Sequence, residues 1–141
     1  MKNILIIGGV ALLLLLGGSW WSRSLSGSDA DVVAANGIHW HPRLALYVKG
    51  VQIEIPAGIG LDAVHLPMHT HDEDAKSGVI HLEFSGSVTT DDLKLGIFFK
   101  NWGKDMRSFG SNMTMLVNGV PSTEFEDYVM RDKDVIELRY D

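Results

Sequence analysis

Residues 38–53 read IHWHPRLALYVKGVQI, and this stretch sets the expected fold. Apolar and polar residues alternate along it, which is typical of a β-strand with one buried face. The Lys49-Gly50 step interrupts the alternation and predicts a tight turn, after which the pattern resumes until Pro56 ends it. The stretch therefore predicts a β-hairpin with its apolar face turned to the core.

Further strands are expected toward the C-terminus. The same alternation predicts strands at residues 79–84, 113–117 and 135–140. The Asn118-Gly119 pair is the strongest short hairpin signal, so a turn is expected there. Residues 57–77, rich in glycine, histidine and acidic residues, predict a long loop, and loops of that length are usually functional.

One amphipathic helix is expected between these strands. Thr89 and Asp92 form a capping-box variant at its start, and Gly103 ends it. Its apolar stripe has the spacing i, i+3, i+4, i+7 and consists of Leu95, Phe98, Phe99 and Trp102.

The order of these elements predicts an α+β fold, a mixed sheet with one helix packed on it, over residues 38–141. The segment from Met115-Leu-Val-Asn-Gly119 through Val129–Ile136 resembles the ending of β-grasp (ubiquitin-like) domains, with Lys133 where those domains often have glycine. The resemblance implies a β-grasp-like sheet but no particular function.

Residues 1–22 are expected to direct export. Lys2 precedes an apolar run from Ile4 to Trp21, 18 residues long, which is enough for a transmembrane helix. A signal peptide cleaved near Gly17-Gly18-Ser19 is the alternative. The expected location is the cytoplasmic membrane, single-pass with the C-terminal domain outside (periplasmic or extracellular), or secreted if the segment is cleaved. Residues 23–37 predict a flexible tether.

Composition excludes several kinds of site. The chain has no cysteine, which rules out disulfides, thiolate metal sites and a cysteine nucleophile. Two of its 12 Lys and Arg residues lie in the first 24 positions, so 10 remain against 18 Asp and Glu, a net charge of −8. This balance argues against nucleic acid as a partner and suits the attraction of cations.

The six histidines all lie between positions 39 and 81. Four of them form two His-x-His pairs, and residues two apart on an extended chain point to the same face, as chelating ligands must. The metal ligands predicted from this pattern are His39, His41, His69, His71 and His81. His65, near apolar neighbours, is expected to be structural or to support a ligand.

Other side chains near these histidines have candidate roles. Asp72 and Glu83 are candidates for orienting an imidazole through its second ring nitrogen. Met68 is a candidate soft ligand that would favour copper. The expected cofactor is a copper or zinc ion, with copper slightly favoured because the Irving–Williams order places it above zinc.

These features predict a membrane-tethered, extracytoplasmic protein that sequesters or delivers a transition metal. The motifs His-Trp-His, His-Thr-His-Asp, Gly-Val-Ile-His and Gly-Ile-Phe-Phe-Lys-Asn-Trp-Gly are similar to those of small, membrane-anchored, His-rich prokaryotic exported proteins, a resemblance that assigns no catalytic residue. Two alternatives are a small metalloenzyme with Glu83 or Glu73 as general base, and a non-catalytic accessory domain of a membrane complex. The partners expected are the metal ion, the membrane and an unidentified membrane protein.

Overall fold

The computed structural model describes residues 31–141 of the chain. Its strands are β1 (Val32–Ala34), β2 (Ile38–Trp40), β3 (Arg43–Val48), β4 (Val51–Ile53), β5 (Met68–His69), β6 (His81–Phe84), β7 (Val88–Thr89), β8 (Thr114–Val117), β9 (Val120–Ser122) and β10 (Val135–Tyr140). One α-helix, α1, spans Leu95–Asn101, and short 3₁₀ helices span Ala75–Ser77, Asp91–Leu93, Met106–Phe109 and Phe125–Asp127. The predicted anchor or signal peptide at 1–22 lies outside the described residues.

Both predicted hairpins are confirmed. β3 pairs with β4 around Lys49 and Gly50, and β8 pairs with β9 around Asn118 and Gly119. All four turn residues have positive φ, between 49° and 81°. Two consecutive positive φ values are what a type I′ turn requires, and this turn matches the natural twist of the two strands that it joins.

These hairpins form the two edges of a five-stranded sheet with the order β4-β3-β10-β8-β9. The central pair, β3 and β10, is parallel, and the other pairs are antiparallel. Alternate residues of the central strands are buried, as the sequence pattern predicted. They share one hydrophobic core with the apolar stripe of α1, and the fully buried members include Leu44, Leu46, Leu95, Phe98, Ile136 and Leu138.

The helix ends as predicted but begins later. Gly103, at φ +68°, donates its N–H to the carbonyl of Lys100, while the N–H of Lys104 reaches the carbonyl of Phe99. These two bonds form the Schellman motif that ends many helices. At the other end, residues 91–93 form a 3₁₀ helix and residue 94 is extended, so α1 begins only at Leu95.

The predicted fold class was wrong. We expected an α+β fold, with an N-terminal transmembrane helix followed by a β-grasp-like mixed sheet and one helix packed on it. In residues 31–141 strands, arranged in three sheets, are instead the predominant regular structure, and the α-helix there has only seven residues. Within this range no helix has the length and apolar character needed to cross a membrane.

The physical reason for the separate sheets lies at Pro42. The sequence alternates without interruption across this residue, but proline has no N–H to donate to a neighbouring strand. The chain therefore leaves one sheet at Trp40, the end of β2, and enters another at Arg43, the start of β3. The second, three-stranded sheet has the order β2-β6-β5.

Two short strands lie in segments that the sequence predicted to be irregular. β5 lies inside the predicted loop at 57–77 and pairs with β6. β1 lies inside the predicted tether at 23–37 and pairs with β7 in a two-stranded sheet. Strands of two or three residues are too short to show a period in the sequence, and their formation depends on partners distant along the chain.

A close backbone contact joins the larger sheet to the start of β6. The N–H of Leu44 donates to the carbonyl of Gly78 at 2.8 Å, and the N–H of Ile80 donates to the carbonyl of Pro42 at 2.9 Å. Gly78 has φ +67°, and a Cβ atom there would overlap the carbonyl oxygen of Leu44. This contact fixes the position of β6 relative to the five-stranded sheet.

We predict that Gly78→Ala lowers the free energy of unfolding by about 3 kcal/mol, since it adds both backbone strain and a backbone clash. Gly58→Ala is the matched control, because Gly58 also has positive φ (+77°) but no atom within 4 Å of its added Cβ. The control should lose only about 1 kcal/mol. Urea unfolding measures both losses. Equal losses for the two variants would show that the contact with Leu44 is unimportant.

Candidate metal centre

The three-stranded sheet carries the candidate ligands on its three strands. β6 is central, with His39 of β2 opposite Glu83 and His69 of β5 opposite His81. Alternate residues of a strand point to the same face of the sheet. His41 therefore lies on the same side as His39, and His71 lies on the same side as His69. The pairing of three short strands thus brings together side chains from positions 39 to 83.

The imidazole rings of all six histidines form one continuous cluster. The centroid distances that connect them are 4.7 Å for His39–His41, 4.8 Å for His41–His81, 4.6 Å for His71–His81, 4.8 Å for His69–His71 and 4.5 Å for His65–His69. The structure therefore brings together the five predicted ligands. It also adds His65, which the sequence analysis had set aside.

Two sets of donor atoms in the cluster are close enough to hold a metal ion. The inner set consists of His69, His71, His81 and Glu83. The outer set consists of His39, His41 and His81. Within each set, one donor atom from every residue lies within 4.8 Å of the others. The sets overlap at His81, and their donors are nitrogen and oxygen atoms of the kinds that zinc and copper accept.

His69 is held in the orientation that a ligand needs. Its ring is fully buried, and its Nδ1–H donates to the carbonyl of Leu66 at 2.9 Å, which places the lone pair of the ring on Nε2. That Nε2 lies 3.2 Å from Nε2 of His71. Two nitrogens that bind one tetrahedral ion at 2.0–2.1 Å are about 3.3 Å apart, so the spacing suits a shared metal. Burial lowers the pKa of His69 and favours its neutral, metal-binding form.

His81 is oriented by a carboxylate. Its Nε2 lies 2.9 Å from Oδ2 of Asp74, so the ring donates its proton there and keeps a lone pair on Nδ1. Nδ1 is buried and has no hydrogen-bond partner in the described residues. Oε1 of Glu83 lies 3.4 Å from Nδ1 but forms no hydrogen bond with it. A buried nitrogen without a partner is costly, and a metal ion would satisfy it.

Glu83 belongs to the inner set and also contacts the outer one. Its Oε1 is 3.0 Å from Nε2 of His39 and 4.0 Å from Nε2 of His69. Burial acts to raise the pKa of Glu83, but the neighbouring His39, His69 and His81 together outweigh it and lower the pKa below its ordinary value. The side chain is therefore a carboxylate at neutral pH and would supply negative charge to a cation bound there.

The structure changes the roles expected of the neighbouring residues. Asp74, rather than Asp72, contacts a ligand ring, because the chain turns through residues 74–78 before it enters β6. Met68 is buried in the hydrophobic core, where it lies opposite Leu82. Glu83 joins the inner set directly, and its position two residues after His81 was the available sequence signal.

His65 reaches the cluster through a tight loop. It forms a β-bridge with Leu61, and its Nε2 lies 3.4 Å from Nε2 of His69. Its ring is exposed, and it belongs to neither ligand set. No spacing rule relates His65 to the two His-x-His pairs, so nothing in the sequence pattern indicated this contact.

We predict that the metal-free protein loses stability as pH falls below about 6.5, the ordinary pKa of histidine. Burial lowers the pKa of folded His69, so the unfolded chain binds a proton more readily in this range and the free energy of unfolding decreases. The contribution of one such group is at most about 1.4 kcal/mol per pH unit. It disappears as the pH rises above about 6.5, because His69 is then neutral in both the folded and the unfolded chain.

Urea unfolding in the presence of a chelator, between about pH 5 and pH 8, measures this slope. His69→Gln should show a shallower dependence on pH than the unchanged protein. Identical slopes would contradict a lowered pKa for His69.

Comparison of the chain with protein-family models, with curated proteins and with solved structures gives no match. The interpretation of the cluster therefore rests on its own geometry: two overlapping sets of histidine and carboxylate donors that could hold a metal ion.

Proposed function

We propose that the protein binds a divalent transition metal, copper in preference to zinc, in order to sequester or deliver it. The observation that carries this proposal is the state of His69 in the inner set. A fully buried imidazole, with Nδ1 held by the carbonyl of Leu66, places its Nε2 3.2 Å from Nε2 of His71, the spacing of two nitrogens that share one tetrahedral metal ion.

The donor types support the choice of metal. Three imidazoles and one carboxylate make a four-coordinate set that suits Zn(II) or Cu(II). The Irving–Williams order favours Cu(II) at any given set of nitrogen and oxygen ligands. The chain offers no thiolate, since it has no cysteine, so Cu(I) lacks its strongest ligand type here.

The distribution of exposure supports delivery rather than permanent, structural binding. The exposed fraction of the side chain rises from 1% at His69 through 12% at His81 and 41% at Glu83 to 63% at His39. Structural metal sites are closed on all sides by protein ligands. A cluster with one buried and one open end holds an ion firmly and still lets a partner reach it.

The compartment is supported by the sequence alone. The apolar run within residues 1–22, outside the described part of the structure, favours a location beyond the cytoplasmic membrane. Cu(II) is available in such an oxidising compartment, so the proposed location is consistent with the proposed metal.

We predict that the purified full chain binds Cu(II) more tightly than Zn(II), and that His71→Ala weakens both affinities by on the order of 100-fold. His71 supplies one of the four inner donors, and its ring is only half-buried, so its loss should leave the fold intact. Competition with a chelator of known affinity at about pH 7.5 measures the two dissociation constants.

Glu54→Gln is the matched control, since it removes an exposed carboxylate just after β4 and should leave both constants unchanged. Binding no tighter than about millimolar by the unchanged protein would refute the proposed function. Equal affinities of the His71→Ala variant and the unchanged protein would refute the inner set as the site.

A further inference from the structure

We infer that the outer set, His39, His41 and His81, is a transient binding site through which a metal ion enters and leaves the inner set. The inference rests on the proposed function, because it describes how the same histidine cluster loads and releases its ion. It assigns different roles to the two His-x-His pairs, which the sequence had treated as equivalent ligands.

The first support is the single donor that the sets share. His81 belongs to both, and its Nε2 proton is held by Asp74 at 2.9 Å. The ring then has one free lone pair, on Nδ1, and one lone pair binds one ion at a time. While His81 donates its Nε2 proton to Asp74, a metal ion can occupy only one of the two sets at a time.

The second support is the position of Glu83. Its Oε1 lies 3.0 Å from Nε2 of His39 and 3.4 Å from Nδ1 of His81, so the carboxylate of the inner set also reaches His39 of the outer set. An ion that leaves His69 and His71 can therefore be bound by the outer pair before it has lost Glu83 and His81. Each step exchanges one ligand for another, and the ion never becomes fully hydrated inside the cluster.

The third support is access. His69 is fully buried and cannot contact a partner directly, whereas His39 is exposed. The backbone N–H of His41, the residue that follows β2, donates to Oδ1 of Asp132 at 3.0 Å, which fixes the chain at this member of the outer pair. His39 is thus accessible and the half-buried His41 is held in place, as a site that meets a metal donor or acceptor requires.

The test measures rates as well as affinity. Zn(II) is mixed with the full chain in a stopped-flow instrument, and its release to a chromogenic chelator is followed in a second experiment. In His39→Ala/His41→Ala, the association and dissociation rate constants should both fall by on the order of tenfold, because capture beside the inner ligands raises the local ion concentration. The equilibrium dissociation constant should be nearly unchanged, since the inner set keeps its four donors.

The alternative outcomes each overturn the inference. A weaker affinity with an unchanged association rate would make His39 and His41 ordinary ligands of the resting ion. Two equivalents of zinc per chain would show that the sets are filled together. Unchanged rates, or rates slowed instead by His65→Ala, would mean that ions enter elsewhere.

These outcomes are distinct from failure of the proposed function, which would show as no zinc or copper binding by the unchanged protein. Thermal unfolding of the metal-free variants checks that they fold. If the double variant is unfolded, His39→Ala alone carries the test, because its side chain is exposed. Glu54→Gln serves again as the control, with rates equal to those of the unchanged protein.

Discussion

The hydrogen-bonded pairing of β6 with β2 on one side and β5 on the other determines where every candidate ligand lies. Each of these strands has only two to four residues. β6 carries two candidate ligands, and β2 and β5 each carry one, with a second candidate ligand two residues further along the chain. Because side chains alternate along a strand, a shift of one residue in either pairing would turn histidines away from the common face. The register of two short strand pairs is therefore the constraint on which the candidate metal centre depends.

That register is itself held by the five-stranded sheet. The backbone contact between Leu44 and Gly78 fixes the start of β6, and the carbonyl of Pro42 accepts the N–H of Ile80 just before it. The larger sheet shares one hydrophobic core with α1, so most of the apolar burial lies away from the polar face. The core stabilises the scaffold, and the scaffold in turn orients a group of imidazoles that has little reason to assemble by itself.

Local features of the fold could be predicted from the sequence, and long-range ones could not. The type I′ turns at Lys49-Gly50 and Asn118-Gly119 and the helix end at Gly103 follow from residues that adopt positive φ. The break at Pro42 was missed because alternation continues across it, and β5 because two residues show no period. Sheet membership depends on partners far along the chain, which a local pattern does not contain.

In the candidate site, too, the local features could be predicted from the sequence and the long-range ones could not. Spacing of two residues identified both histidine pairs and gave Glu83 as a neighbour of His81. It could not identify Asp74 as the acid that contacts His81, since a turn of the chain decides which of three consecutive acidic residues reaches the ring. Nor could it identify His65, whose approach to His69 depends on the folding of a loop.

The bond from His41 to Asp132 joins residues 91 positions apart, and β3, which follows His41, pairs in parallel with β10. During synthesis all six histidines therefore leave the ribosome well before the segment that holds His41 and pairs with β3. A nascent chain presents these imidazoles unorganised, open to whatever metal its surroundings contain. On the proposed function, the donor sets are complete only when residues 132–140 have been made, so the ion that they meet first would be set by the compartment in which the chain completes its fold.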